Sequence, residues 1–233
     1  KRVKRTEFLG NYVPKVKRLN NNMYSYDHVI GEMLSNILDD NILKDVLSFY
    51  KDKFANSRFS KDEQFIANCK NIYQDKVYNR IKKFAGSDLD KVNWNSIYNN
   101  SIPSRFHGDF QPENIVYNND GFKLIDWRES FGDSLEIGDL YYDLGKLYHA
   151  LIINGQTILN KGYNYRVIDK NKAYVNYNIK SNLQLLLDYF ESFCKENDLN
   201  WDNVELLGIL QYIGICTLYK DFHEGKYGEF LFL

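Results

Sequence analysis

Residues 106–127 read FHGDFQPENIVYNNDGFKLIDW, and this stretch decides the fold class. Residues 115–117 and 122–125 are short and apolar, as strands are, and the Asn-Asn-Asp-Gly sequence at 118–121 is typical of a hairpin turn. The flanking segments carry apolar residues with a helical period. The chain is therefore predicted to fold as an α+β, mainly helical protein with a small β-hairpin insert.

Three polar side chains, Asp109, Asn114 and Asp126, stand out against the apolar residues of this stretch. Because a hairpin brings its two ends together, Asn114 and Asp126 should face one small volume, with Asp109 beside them. Phosphoryl transfer needs a carboxylate that accepts the proton of the attacking hydroxyl, and hard oxygen ligands for Mg²⁺. The spacing of Asp109, Asn114 and Asp126 matches the order of these groups in protein kinases.

The sequence His-Gly-Asp-Phe-Gln-Pro-Glu-Asn at 107–114, followed by Ile-Asp-Trp at 125–127, resembles the aminoglycoside phosphotransferase and choline kinase-like family. Residues 140–146 also resemble the helix start that follows the metal site in that family. The resemblance implies a protein kinase-like fold and a small-molecule acceptor. It also implies that a nucleoside triphosphate, ATP or GTP, and Mg²⁺ take part.

The resemblance assigns roles to individual residues. Asp109 corresponds to the catalytic base, and Asn114 and Asp126 to the Mg²⁺ ligands. His107 and Asp143 correspond to structural supports of the catalytic loop. The backbone of Asp27, His28 and Val29 corresponds to the hinge that binds the nucleotide base.

The resemblance also implies a division of the chain. Residues 1–30 are predicted to be a remnant of the small lobe with the hinge, and residues 31–233 the helical large lobe with the catalytic loop and metal site. The segment before the hinge is too short for a complete small lobe, which carries the lysine that contacts the phosphates. We therefore expect a fragment or a degenerate relative that is a poor catalyst, or inactive, by itself.

Several boundaries of secondary structure can be predicted. Two short strands are expected at 12–19 and 23–30. Ser60 and Glu63 form a capping-box pattern that predicts a helix from Ser60 to about Phe84, ended by Gly86. Further helices are predicted at 140–153, 183–196 and 204–222, and a second hairpin is predicted around residues 169–171.

The residues that follow the metal site are the candidates for acceptor binding: Trp127, Asp133, Glu136, Asp139 and Tyr142. An acidic and aromatic pocket suits a cationic amine such as an amino alcohol or an aminoglycoside, and it also suits a sugar. Lys146 and His149 are one helical turn apart, and a contact with them would instead indicate an anionic acceptor. The three acidic candidates are also ordinary loop or cap residues, and Tyr142 could simply pack in the core.

Composition excludes some classes of protein. The net charge of −1 gives no basic face for nucleic acid. Cys69, Cys194 and Cys216 lack the spacing of a zinc site or disulfide scaffold. No apolar run is long enough to span a membrane, so a cytoplasmic protein without nucleic-acid or membrane partners is expected. The basic residues among the first eighteen are interpreted as a solvated strand edge or as an effect of where the chain begins.

Two alternatives to an active phosphotransferase remain. A non-catalytic kinase-like binding or regulatory module would explain the missing small lobe. A metal-dependent hydrolase could use His107, Asp109 and Asp126, but it would need more ligands to hold two metals.

Overall fold

The structure is a computed structural model that describes residues 1–81, 92–169, 172–219, 221–224 and 226–233. The chain is α+β and about half helical, with small antiparallel sheets. The helices are α1 (Arg2–Leu9), α2 (Leu34–Ile37), α3 (Asp40–Tyr50), α4 (Glu63–Lys70), α5 (Lys76–Ile81), α6 (Trp94–Asn100), α7 (Leu140–Ile152), α8 (Gly155–Leu159), α9 (Leu183–Glu196), α10 (Trp201–Cys216) and α11 (Lys226–Phe232). The strands are β1 (Val16–Arg18), β2 (Tyr24–Tyr26), β3 (Glu32–Met33), β4 (Pro103–Arg105), β5 (Ile115–Asn118), β6 (Gly121–Leu124), β7 (Ile137–Asp139), β8 (Tyr163–Asp169) and β9 (Lys172–Tyr177).

The predicted central hairpin is confirmed. Strands β5 and β6 pair antiparallel, with Ile115 opposite Leu124. The sequence did not reveal that β3 pairs with the outer side of β5. Gly31 permits this approach, because a Cβ atom at that position would lie 2.5 Å from the carbonyl oxygen of Tyr117. The β3 segment thereby fixes residues 27–30 at the edge of the hairpin.

The long helical segment before the hairpin begins later than its capping-box pattern suggested. Asp62, rather than Ser60, is the N-cap, and its carboxylate accepts a hydrogen bond from the Phe65 amide at 2.8 Å. An ionised carboxylate is a strong cap, since it also meets the positive end of the helix dipole. Helix α4 continues through a π-helical stretch (Asn71–Asp75) into α5. The predicted end near Phe84 and Gly86 lies outside the described residues.

Helices α7 and α10 pack closely in the core. Two glycines allow this approach, since a Cβ atom on Gly145 would lie 3.0 Å from the amide nitrogen of Gly208. A Cβ atom on Gly208 would lie 2.3 Å from a ring carbon of Tyr148. The close packing fixes α7, which follows the candidate metal site, against the helical part of the molecule.

Arg2, Lys4 and Arg5 lie in helix α1, so the expected strand edge is wrong for them, whereas Lys17 and Arg18 lie exposed on strand β1. Arg5 is fully buried rather than solvated. Its guanidinium donates to the carbonyls of Leu135 at 2.9 Å and His107 at 3.1 Å, and also to those of Phe106 and Arg128. Burial lowers the pKa of Arg5 to about 10. Arg5 thus satisfies carbonyl groups that would otherwise be buried without partners.

The C-terminal elements agree with the predictions in type but differ in extent. Strands β8 and β9 form the second predicted hairpin, whose turn at 170–171 lies outside the described residues. Helix α9 has the predicted bounds. Helix α10 begins at Trp201 and ends at Cys216, where a 3₁₀ turn follows, so one continuous helix over 204–222 is wrong. Aromatic residues of β8, β9 and α11 pack together beside the main core.

Candidate active site

Asp143 fixes the loop that carries the candidate base. Its buried carboxylate accepts hydrogen bonds from the amides of His107, at 2.6 Å, and Gly108, at 2.7 Å. Tyr50 donates to the same carboxylate at 3.3 Å. Burial raises the pKa of Asp143 to about 7, although the two amide hydrogen bonds act in the opposite direction. Asp143 therefore has the position that a structural support of this loop requires.

Asp109 is held between two side chains. Asn114 donates through Nδ2 to the Asp109 carbonyl at 2.9 Å and to its carboxylate Oδ2 at 3.0 Å. The Lys146 ammonium lies 3.0 Å from the other carboxylate oxygen, Oδ1. Burial alone would raise the pKa of Asp109, but the charge and hydrogen bond of Lys146 outweigh it and the pKa is lowered. Asp109 is therefore ionised near neutral pH.

Asn114 and Asp126 lie at the open end of the hairpin. The Ile125 amide donates to the Asn114 carbonyl at 2.9 Å, which brings the residue before β5 alongside the residues that follow β6. Asn114 uses its Nδ2 for Asp109, and its Oδ1 accepts no hydrogen bond from the described residues. Asp126 has φ of 51°, which is uncommon for a non-glycine residue and is often found at functional sites.

A cation already contacts Asp126. The Arg2 guanidinium lies 2.6 Å from its carboxylate, which is otherwise open to solvent. A free amide oxygen and an accessible carboxylate fit Mg²⁺, which takes one or two protein ligands and completes its shell with water and phosphate. Asn114 and Asp126 are thus suitable ligands. Over the described ranges, no group of three His, Cys, Asp or Glu side chains is arranged to hold a metal.

His107 is fully buried below the loop. Its Nδ1 accepts a hydrogen bond from the Asp109 amide at 3.3 Å. Burial lowers its pKa to about 4, so the ring is neutral near pH 7. A neutral buried ring that holds the Asp109 backbone orients the loop and has no access to a substrate.

Two cavities meet at Asp109 and Lys146, which line both. The first has a volume of about 300 Å³ and lies between the loop, α7 and the C-terminal helices. The second has a volume of about 420 Å³ and also reaches Asp126. Its basic lining residues are Arg2, Lys76, Arg80, Arg128 and Lys146. The candidate base therefore faces space large enough for a small molecule.

The acceptor candidates predicted from the sequence lie in different places. Tyr142 lines the second cavity, where its hydroxyl accepts a hydrogen bond from Arg128. Trp127 is buried, and its indole donates to the Arg2 carbonyl at 3.0 Å. Asp139 is buried and caps α7, where it also accepts hydrogen bonds from the Ile102 amide and the Tyr73 hydroxyl.

The remaining candidates lie away from the two cavities. Glu136 pairs with Arg105 at 3.6 Å. The amide of Asp133 donates to the Asn68 side chain at 3.1 Å. Neither residue lines the cavities at Asp109. The proposed hinge residues Asp27, His28 and Val29 lie in the irregular connection between β2 and β3.

Sequence reasoning missed four residues of the second cavity: Lys76, Arg80, Arg128 and Gln211. Arg128 directly follows the Ile-Asp-Trp sequence, so its proximity could have been anticipated. Lys76 and Arg80 are one helical turn apart, which shows that they share a face but not what that face contacts. Only the packing of α5 against α10, and of α10 against α7, directs these side chains toward Asp109.

The described helices include none with both the length and the apolar character needed to cross a bilayer. No curated protein matches the chain in a sequence comparison. Among solved structures, a choline kinase from Cryptosporidium parvum Iowa II has 13% identity and a TM-score of 0.49, with 95% of this chain and 71% of that chain covered. A glucosamine kinase has 11% identity and a TM-score of 0.47, with coverages of 85% and 55%.

A second glucosamine kinase structure, in complex with glucosamine, ADP and inorganic phosphate, has 10% identity and a TM-score of 0.44, with coverages of 82% and 50%. This chain therefore spans only about half the length of the two glucosamine kinase chains.

A family model gives the more specific result. The model of the phosphotransferase enzyme family, abbreviated APH, matches residues 62–170, slightly less than half of the chain. This segment contains Asp109, Asn114, Asp126 and Asp143. The match over residues 62–170 confirms the resemblance to the aminoglycoside phosphotransferase and choline kinase-like family.

Proposed function

We propose that this protein transfers the terminal phosphate of a nucleoside triphosphate to a hydroxyl group of a small molecule, such as an amino alcohol, an aminoglycoside or a sugar. The observation that carries the proposal is the environment of Asp109. Its carboxylate is ionised, oriented by Asn114 and Lys146, and open to two cavities. Because Asp143 fixes the loop backbone, the carboxylate is organised before a substrate binds.

The proposed step is an in-line displacement. The acceptor hydroxyl donates a hydrogen bond to Asp109, and its oxygen attacks the terminal phosphorus of the nucleotide. The new oxygen–phosphorus bond forms as the bond to the nucleoside diphosphate breaks. The hydroxyl proton passes to Asp109, and the diphosphate leaves with the electron pair of the broken bond. Asp109 needs only to orient the hydroxyl and accept this proton.

Asn114 and Asp126 are the residues that would hold Mg²⁺. The bound cation supplies positive charge that neutralises the phosphate oxygens. Asn114 contributes its Oδ1 while its Nδ2 stays on Asp109, so one side chain couples the proposed metal ligand to the proposed base. Arg2 must leave Asp126, at least in part, before a metal ion reaches that carboxylate.

The backbone at Asp27, His28 and Val29 is the proposed contact of the nucleotide base. Pairing of β3 with β5 supports this assignment, because it fixes the end of that segment beside the hairpin. The division into a short remnant of the small lobe, residues 1–30, and a large lobe, residues 31–233, remains part of the proposal.

Calorimetry of ATP and GTP binding, with and without Mg²⁺, tests the proposal. We expect binding that is strengthened by Mg²⁺ and a loss of that Mg²⁺ dependence in Asp126→Ala. Asp120→Ala removes an exposed carboxylate from the turn of the same hairpin. It should change neither the nucleotide affinity nor the dependence of that affinity on Mg²⁺. Transfer of labelled terminal phosphate to a panel of hydroxyl compounds then tests the reaction.

Failure of the chain to bind either nucleotide, with or without Mg²⁺, would contradict the proposal for this chain. The alternative of a non-catalytic kinase-like binding or regulatory module would then be favoured. The contact of Arg2 with Asp126 is the feature that suits this alternative, because it places a protein cation on a proposed metal ligand.

A further inference from the structure

The larger cavity beside Asp109 has an excess of positive charge. Five basic side chains line it, and two of them pair with carboxylates: Arg2 with Asp126, and Lys146 with Asp109. The other three, Lys76, Arg80 and Arg128, face only one further carboxylate in this lining, the exposed Glu129. Like charges in a partly buried space repel each other, so the cavity favours an anion.

Lys76 is the clearest sign of a missing partner. It is partly buried on α5, and its ammonium has no hydrogen bond or ion pair within the part of the chain that the structure describes. Burial, together with the charges of Arg128 and Arg80, lowers the pKa of Lys76 to about 7. A lysine in this position is costly unless an anion pairs with it.

Gln211 on α10 is a second polar group without a partner. Its side chain is 8% exposed and lines the cavity, and no hydrogen bond joins it to any described residue. Its amide is therefore available to a ligand in the cavity, where it can donate to an anionic oxygen or contact a hydroxyl.

The other two cations are held in place by neutral groups. Arg80 donates to the Gly214 carbonyl at 2.5 Å, and Arg128 donates to the Tyr142 hydroxyl and lies 5.5 Å from the centre of that ring. Neither contact neutralises the guanidinium charge. These side chains are therefore oriented but keep donors for a ligand, as Arg residues at phosphate and carboxylate sites do.

We propose that this cavity binds an anionic group, phosphate or carboxylate, of the acceptor whose hydroxyl faces Asp109. This inference rests on the proposed function and narrows its acceptor to a hydroxyl compound with negative charge, such as a sugar phosphate. The five basic residues lie on α1, α5, α7 and the segment after β6, and the cavity includes none of Asp27, His28 and Val29. We assign the anion to the acceptor because Lys76 and Arg80 lie on α5, outside the proposed hinge. Asp126 lines the same cavity, so competition with ATP tests this assignment.

The predicted acidic pocket gives no competing site here. Of its three acidic residues, Asp133, Glu136 and Asp139, none lines the cavity. A cationic amine placed beside Lys76 and Arg128 would be repelled. The charge of the site thus favours an anionic acceptor over a simple amino alcohol.

Calorimetry on the full chain tests the proposal with matched ligands. Glucose 6-phosphate is compared with glucose, glycerol 3-phosphate with glycerol, and choline is the cationic probe. We expect each phosphorylated compound to bind at least about tenfold more tightly than its neutral counterpart, with weaker binding at higher salt. The proposal would be wrong if choline bound more tightly than the phosphorylated compounds. It would also be wrong if neither phosphorylated compound bound more tightly than its neutral counterpart.

Substitutions on α4 and α5 identify the site. Lys76→Met should weaken binding of the phosphorylated compounds about tenfold, and Lys76→Arg should restore most of it. Lys70→Met changes an exposed lysine on α4 and is the matched control. Unchanged binding in a folded Lys76→Met protein, verified by circular dichroism, would overturn the assignment. Arg80→Gln provides a second test if Lys76→Met does not fold.

Competition with ATP and assays of phosphate transfer, on the same proteins, distinguish failure of this inference from failure of the proposed function. If ATP displaces the phosphorylated compounds in direct competition, the cations hold nucleotide phosphates and the inference fails. If the phosphorylated compounds bind as expected but no phosphate is transferred and no nucleotide binds, the anion site stands and the proposed function fails. If phosphate is transferred to choline or glucose in preference to the phosphorylated compounds, the proposed function stands and the inference of an anionic acceptor is wrong.

Discussion

The Lys146 ammonium lies 3.0 Å from Oδ1 of Asp109, and the two side chains reach each other from different elements, helix α7 and the loop after β4. Both are largely shielded from solvent, with 11% and 27% of their side-chain surfaces exposed. The pair therefore interacts more strongly than an ion pair on the surface. This contact sets the protonation state of the candidate base.

Replacement of Lys146 should change the pH dependence of transfer. In Lys146→Met, the pKa of Asp109 should rise, because burial is no longer opposed by the ammonium charge. The proposed transfer requires ionised Asp109, so the acidic limb of the pH–rate profile should move to higher pH. Lys195→Met removes an exposed ion pair with Glu191 and should leave the profile unchanged. An unshifted acidic limb in Lys146→Met would show that Asp109 does not titrate in the reaction.

Loss of Asp143 should destabilise the protein through the loop. Asp143→Ala leaves the amides of His107 and Gly108 buried without acceptors. Each unsatisfied buried group costs about 1–3 kcal/mol, so we expect the free energy of unfolding to fall by about 3–5 kcal/mol. Urea denaturation measures this change.

The control for Asp143 is Tyr50→Phe, which removes a hydroxyl that donates to Asp143 at 3.3 Å and to the Leu140 carbonyl at 3.4 Å. It should lower the free energy of unfolding by about 1 kcal/mol. A loss in Asp143→Ala no greater than that in Tyr50→Phe would mean that the loop does not depend on this carboxylate.

Removal of Arg2 should expose the proposed metal ligand. In Arg2→Ala, Asp126 loses its ion pair, and Mg²⁺ should bind about threefold to tenfold more tightly in a calorimetric titration. Lys4→Ala changes an exposed basic residue of the same helix and is the control. Equal Mg²⁺ affinity in wild type and Arg2→Ala would argue against Asp126 as a ligand that Arg2 blocks.

His149 should contribute to acid sensitivity. Burial and the charge of Lys146 lower its pKa to about 3, from an unfolded value of 6.5. Between these values the unfolded state binds a proton that the folded state does not, so stability is fully present above pH 6.5 and falls as the pH decreases. The contribution of this residue is about 1.4 kcal/mol per pH unit within that window.

In His149→Gln this contribution disappears, and the free energy of unfolding should fall less steeply from pH 6.5 to pH 4.5. The glutamine amide can still donate to the Lys146 carbonyl that the His149 ring contacts. His28→Gln, at an exposed position, should leave the slope unchanged. An identical slope in wild type and His149→Gln would show that the ring is protonated in the folded protein.

The local features of the site followed from sequence because they depend on short-range rules. The Asn-Asn-Asp-Gly turn and the flanking apolar residues predicted the β5–β6 hairpin, and this hairpin places Asn114 near Asp126 without help from the rest of the chain. The start of α7 was also local, since Asp139 caps it and its apolar period continues to Ile152. The family resemblance rested on the same short stretch.

Side-chain environments were decided by tertiary structure alone. Nothing in the sequence distinguishes Arg5, which is buried among carbonyls, from the exposed Lys4 beside it. Nor does it show that Lys76 and Arg128, far apart in the chain, line one cavity with Asp109. Hydrogen-bonded turns and helical periods are properties of neighbouring residues, whereas burial, charge balance and cavity shape arise only when distant elements pack together.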